Sequence, residues 1–184
     1  MKKALVALAL GITSSTTFAA TVDTGSIHFY GRIDSGTCPI EIVDPVTGNT
    51  ESGNRILMGN VDASQFKAAN DEAAARSFAM RITPGGGCTV APGDVANLTF
   101  TGAFGGAGTG GALYALEPGG ASNLALILKD NTGTAIVNGS ASKDYPLNET
   151  TPTTMLFSAA YKSTAATVSA GAANTSVQFV VDIP

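Results

Sequence analysis

Tryptophan is absent from this chain of 184 residues, and histidine occurs once, at His28. One imidazole cannot build a histidine-based metal cluster, and it leaves a single candidate for the base that most nucleophilic enzymes use. Charge is scarce as well: Asp, Glu, Lys and Arg make up 13% of the residues, with 10 basic side chains against 14 acidic ones and a net charge of −4. Nucleic-acid phosphates are bound by Lys and Arg gathered on one face, so a nucleic-acid partner is not expected. Long apolar runs are missing too. The run from Ala4 to Ile12 falls well short of the roughly 20 residues a spanning helix requires, and no later stretch approaches that length, so no membrane span is expected.

That short run has another meaning. MKKALVALALGITSSTTFA joins a basic start, Lys2 and Lys3, to the apolar stretch and to small residues near Ala19, the pattern of a secretory signal peptide. Small residues three before and one before the cut place cleavage after Ala19, because a cut after Ala20 would set Phe18 at the first of those positions. Removing residues 1–19 leaves about 165 residues, the size of one domain. Without Lys2 and Lys3 the mature chain has 8 basic against 14 acidic residues, a net charge of −6. Its two cysteines, Cys38 and Cys88, are bound for an oxidising compartment, where a disulfide is the natural expectation. A two-cysteine metal site would need further ligands, and His28 is the only histidine to offer.

Abundant glycine, alanine, threonine and valine with few long helix formers point to an all-β domain of short strands and many turns. GSIHFYGRIDSGTC, Gly25 to Cys38, alternates, with Ile27, Phe29, Gly31 and Ile33 on one face. Strands are expected in CPIEIV from Cys38 to Val43, and in ILMGNV with Leu57, Gly59 and Val61 sharing a face. SQFKAANDEAAARS, Ser64 to Ser77, reads as the one short, exposed helical turn. SFAMRIT, VANLTFTGAF, LYALEP, NLALILKD, AIVNG and LFSAAYKS follow as strand candidates. SASKDYPLNETTPTT reads as a long loop with room for a short edge strand. ANTSVQFVVDIP gives a strand to the C-terminus with Val177, Phe179, Val181 and Ile183 on one face. Roughly seven or eight short strands from among these candidates, at turn-punctuated spacing, suggest an immunoglobulin-type sandwich, although the usual signature Trp is missing. No internal repeat or charged linker divides the chain.

Catalytic patterns are weak. Gly106, Gly108 and Gly111 fit GxGxxG, but no helical periodicity follows, so a surface loop is expected rather than a dinucleotide cradle. His28 sits on the polar face of the first strand, and the pairs Asp71–Glu72 and Glu41–Asp44 lack the apolar surroundings that shift a carboxyl pKa. No catalytic residue, cofactor or metal ligand is assigned.

The residues that remain unexplained carry a resemblance. HFYGRIDSGTC, ILMGNV with Phe66 just after it, SFAMRIT leading to the second cysteine, and GAANTSVQFVVDIP stand in this order along the whole chain, and Gly171 lies fourteenth from the end. The chain resembles the structural subunits of type 1-like, chaperone-usher fimbriae of Gram-negative bacteria. Where that family carries an aromatic residue next to last, this chain has Ile183, which keeps the apolar character. The resemblance implies an incomplete immunoglobulin-like β-sandwich lacking its C-terminal strand and completed by donor-strand exchange. It implies a division into signal peptide (1–19), N-terminal donor extension (20–36) and pilin domain (37–184). Ile27, Phe29, Gly31 and Ile33 would then form the donor face, and Gly171, Val177, Phe179, Val181 and Ile183 the groove and chaperone-binding strand. The partners implied are other copies of the chain or sister pilins, a periplasmic chaperone and an outer-membrane usher. The product the resemblance implies is a cell-surface fimbrium, reached through the periplasm and supporting adhesion. Two other readings stay open: a minor adaptor or terminator pilin, and a self-complete secreted immunoglobulin-like binding module.

Overall fold

Alternation over eleven residues fixes the centre of the molecule. In TTMLFSAAYKS, Met155, Phe157, Ala159, Tyr161 and Ser163 are buried while Thr154 and Leu156 are exposed, and only Ala160, buried as well, breaks the pattern. The computed structural model describes residues 25–31 by their backbone and residues 38–184. Its strands are β1 (Gly25–Gly31), β2 (Ile40–Val43), β3 (Arg55–Gly59), β4 (Glu72–Ile82), β5 (Val95–Gly102), β6 (Gly106–Ala107), β7 (Leu113–Ala115), β8 (Leu124–Asp130), β9 (Ala135–Ile136), β10 (Tyr145–Pro146), β11 (Thr153–Ser163) and β12 (Thr175–Asp182). One sheet runs β10-β5-β12-β1-β3, the other β2-β4-β11-β8-β7-β6, with β9 beside β8. Every described pairing is antiparallel except that of β1 with β12.

The two sheets close over one core. Phe157 stacks on Phe78 with ring centroids 5.5 Å apart, meets Phe100 edge-on at 5.4 Å and lies 5.4 Å from Tyr145. Leu98 and Phe100 of β5, Leu126 and Leu128 of β8, and Met80 and Ile82 of β4 fill the space around them. This is an immunoglobulin-like all-β sandwich whose interior is built on Phe and Tyr instead of the usual Trp. Cys38 and Cys88 are joined in a disulfide, which fastens the start of β2 to the connection between β4 and β5.

Three local expectations are corrected. The helical turn expected in Ser64 to Ser77 is confined to its start: a 3-10 turn at Ala63–Gln65, with the Asp62 carboxylate accepting from Ser64 N, is followed by β4 from Glu72 onward. Its Ala-rich composition suits a helix, but β11 offers a long antiparallel ladder, and Glu72, Ala73 and Arg76 pair with Lys162, Tyr161 and Ala159. The irregularity sits where Ala74 takes a positive φ of 56°. In β3 the inward residues are Ile56 and Met58, whereas Leu57 on the expected apolar face is 68% exposed. The last strand stops at Asp182, with Ile183 half-buried beyond it. The short edge strand expected in the long loop exists as β10, paired with β5. The signal-peptide segment and Ile33 lie outside the described residues.

Candidate functional site

The feature that sets this sandwich apart lies between β12 and β3. The far edge of β12 is paired with β5 from Val177↔Gly102 to Asp182↔Asn97. Its near edge faces a slot whose other wall is β3. Thr175, Val177 and Phe179 of β12 turn inward and are buried, Val181 and Ile183 are half-buried, and Ile56 and Met58 supply apolar groups from β3. The wall is pinned at its start: Thr175 Oγ1 donates to Ala115 O at 2.6 Å, Glu117 N donates to Asn174 O at 2.7 Å, and Tyr161 Oη donates to Ala173 O at 2.7 Å. Arg76 reaches across from β4, its Nε donating to Leu57 O at 3.3 Å.

The backbone of β1 lies in this slot. It pairs parallel with β12 in the register Ile27↔Thr175, Phe29↔Val177 and Gly31↔Phe179, and antiparallel with β3 through Ile27↔Ile56 and His28↔Arg55. Three of the expected donor positions, Ile27, Phe29 and Gly31, therefore stand beside the inward residues of the expected groove strand within one chain. Gly171 stands elsewhere, before β12, where its chain crosses the 117–123 loop. A Cβ there would come within 2.7 Å of Ala121 N, and one on Gly120 within 2.0 Å of Ala172 O. Thr175, Ile56 and Met58 line the slot without having been singled out in the sequence. Thr175 shares the parity of Val177 and Phe179 and was legible on that ground. ILMGNV is apolar on both faces over its first three residues, so its pattern alone could not choose between them.

Apart from Arg76 and Arg55 at the β3 wall, several titratable groups hold local structure elsewhere in the sandwich. Arg81 forks onto Glu41 at 2.8 and 3.0 Å. Lys129 and Lys162 both pair with Glu72; burial opposes its charge, but the two ammonium groups outweigh that and hold the carboxyl below its ordinary range. Asp44 accepts from the backbone N–H groups of Thr47 and Val46, which lower its pKa. Asp71 caps Lys67 N and Ala68 N. Gly108 and Gly111 of the GxGxxG match have positive φ in a loop that leads into the three-residue β7. Among the described residues, no three His, Cys, Asp or Glu groups gather as a metal site would require.

The family model for fimbrial proteins matches residues 27–184. The chain belongs to the fimbrial protein family. It is 30% identical over 182 residues to the probable major fimbrial subunit LpfA of Escherichia coli O157:H7, covering 97% of this chain and 95% of that one. Among solved structures, a Burkholderia pseudomallei antigen and type I fimbria protein matches with a TM-score of 0.57 at 29% identity, covering 88% of this chain and 93% of that one. The P pilus rod subunit PapA shares the fold, with a TM-score of 0.58 at 19% identity over 80% of this chain and 99% of that one. The pilin family is one of structural subunits, so this chain is a fimbrial subunit that assembles with other pilins into a surface fimbrium.

Proposed function

We propose that this pilin is a shaft subunit that polymerises head to tail, each copy placing its N-terminal extension, residues 20–36, into the slot between β12 and β3 of its neighbour. The observation that carries this reading is the strand position itself: the sheet has a place between β12 and β3, and the segment seated there comes from the N-terminal extension. Donor-strand complementation in pilins is an established form of strand addition, with backbone bonds giving affinity and alternate side chains giving specificity. Apolar donor residues such as Ile27 and Phe29 would each contribute roughly 1.5–3 kcal/mol when fully buried. Head-to-tail contacts that do not close on themselves generate filaments. Before assembly, with residues 1–19 removed, a periplasmic chaperone lends a strand to the C-terminal segment that holds Gly171, Val177, Phe179, Val181 and Ile183, and an outer-membrane usher receives the subunit. The fimbrium serves adhesion.

Replacing Gly31 by Leu tests the donor register. It should abolish filaments while leaving the subunit able to bind its chaperone, and an unchanged filament yield by electron microscopy would count against the reading. Deleting the whole chain from cells separates a shaft subunit, whose loss removes fibres, from an adaptor or terminator, whose loss alters their length or number.

The pairing of β1 with its own sheet favours a second reading, a self-complete secreted binding module. Such a protein would refold alone, stay monomeric at high concentration and never form fibres.

A further inference from the structure

We propose that Arg76 is a gatekeeper: it closes the outer edge of β3, and the bare stretch of β4 beside it, against strand addition, so that an apolar strand enters this subunit at the slot alone. The inference rests on the donor-strand reading above for the strand that is refused, and goes beyond it by assigning the residue that refuses it. β3 ends its sheet, with β1 on one side and no strand on the other among the described residues. In the facing sheet β2 pairs with β4 only from Ala79 to Ile82, so residues 72–77 carry β11 on one side and no described strand on the other. Two open edges thus meet at one corner. An edge of this kind is a template for any extended segment, and Leu57, exposed on β3, adds an apolar anchor.

Arg76 stands at this corner. It leaves β4 and donates from Nε to Leu57 O at 3.3 Å, while its Nη2 would lie 3.3 Å from a Cβ placed on Gly59. The carbonyl at the middle of β3 is therefore already engaged, and an exposed guanidinium lies along the strand. A strand docking there must displace that bond and strip water from the cation. Backbone shape works in the same sense: Ala74, at φ 56°, sits where the β4 and β11 register shifts, and Gly59, at φ 74°, leaves extended geometry where β3 ends. Both deny an incoming strand a straight ladder. The remaining sheet ends are guarded by other means, since β6 and β10 are two residues each, Pro146 lies in β10, and Thr50 bridges Val43 at the end of β2. The β3 edge is longer, and Arg76 is the charged side chain that meets it.

The test compares the purified mature chain with Arg76→Thr, which keeps a strand-forming residue but removes the cation, and with Arg76→Lys, which keeps the charge. Each is incubated at high concentration and followed by thioflavin fluorescence and electron microscopy. Arg76→Thr should form cross-β or laterally bundled aggregates at least about tenfold faster than the parent, and Arg76→Lys should stay close to the parent. Thermal midpoints of both should remain within about 2 °C of the parent, as an exposed substitution predicts. Hydrogen exchange on the Arg76→Thr aggregates should show new protection at Leu57 and Gly59. Equal aggregation of Arg76→Thr and the parent would overturn the gatekeeper, as would an Arg76→Lys variant that aggregates like Arg76→Thr. A midpoint lowered enough to account for the aggregation, or protection confined to other strands, would reduce Arg76 to a structural role and overturn it as well. None of these results touches the donor-strand reading, which stands or falls on Gly31→Leu in filaments.

Discussion

Phe157 is the residue on which most of the interior converges, with Phe78, Phe100 and Tyr145 around it. Truncation to Ala would remove three ring contacts and leave a cavity that rigid strands close poorly, at a cost of about 3–5 kcal/mol. Urea unfolding of Phe157→Ala should show that loss, and a change below about 1 kcal/mol would contradict the packing described. The tyrosines give a pH signature. Burial pushes the phenol of Tyr161 up to about 12, and burial with the nearby Asp130 carboxylate does the same for Tyr145. Burial also raises Tyr114, whose hydroxyl donates to Ile136 O at 3.1 Å. Each is held neutral by the fold, so an unfolded chain releases the proton more readily. Their contribution is complete below pH 10 and is lost as pH climbs from 10 to about 12. Denaturation midpoints at pH 9 and pH 11 should differ in that direction, and Tyr161→Phe should reduce the difference.

At the scale of elements, the crossing of the 117–123 loop with the segment before β12 depends on two glycines that leave no room for a side chain. Gly171→Ala would drive a methyl group to 2.7 Å from Ala121 N and push the chain away from its bonds, including Ala121 N to Ala172 O. Overpacking of this kind costs typically 1–3 kcal/mol. Thermal unfolding should register it, together with loss of the amide protection of Ala121 in hydrogen exchange. Strands whose faces differ were legible beforehand: β5 alternates buried and less buried residues from Val95 to Gly102, and β12 does so from Thr175 to Phe179. β4 was misread over Glu72–Ser77, because alanines satisfy helix and strand alike and only the β11 ladder decides between them. β3 was misread by one residue, since Ile56, Leu57 and Met58 are all apolar and the choice of face belongs to the packed sheet. Within the candidate site, Ile27, Phe29 and Gly31 of β1 and Val177, Phe179 and Val181 of β12 were legible as alternating faces. The lie of β1 parallel to β12 was not, because direction depends on contacts made far along the chain.

The whole molecule is acidic, with a net charge of −4 even when Lys2 and Lys3 are counted. Copies approaching one another repel, and salt screens that repulsion over about 10 Å at 0.1 M. Assembly in vitro should therefore quicken as ionic strength rises from about 10 to 150 mM, followed by light scattering. A slowing would show that attractive charge pairs dominate the contact. The disulfide acts on the same scale. It closes a loop with a sequence separation of 50 residues, worth about 4 kcal/mol in chain-entropy terms. Replacing Cys38 and Cys88 by Ser should lower stability by that order in chemical denaturation, and a difference below about 1 kcal/mol would contradict it. The same bond has a mechanical side. Tension transmitted through the N-terminal arm would arrive at Cys38 and pass directly into Cys88, bypassing β2, β3 and β4. About 50 residues, each extending roughly 3.4 Å when taut, are thereby kept out of the stretchable length. A pulled subunit would be shorter by about 170 Å than its reduced form, so the link acts as a stop against overextension.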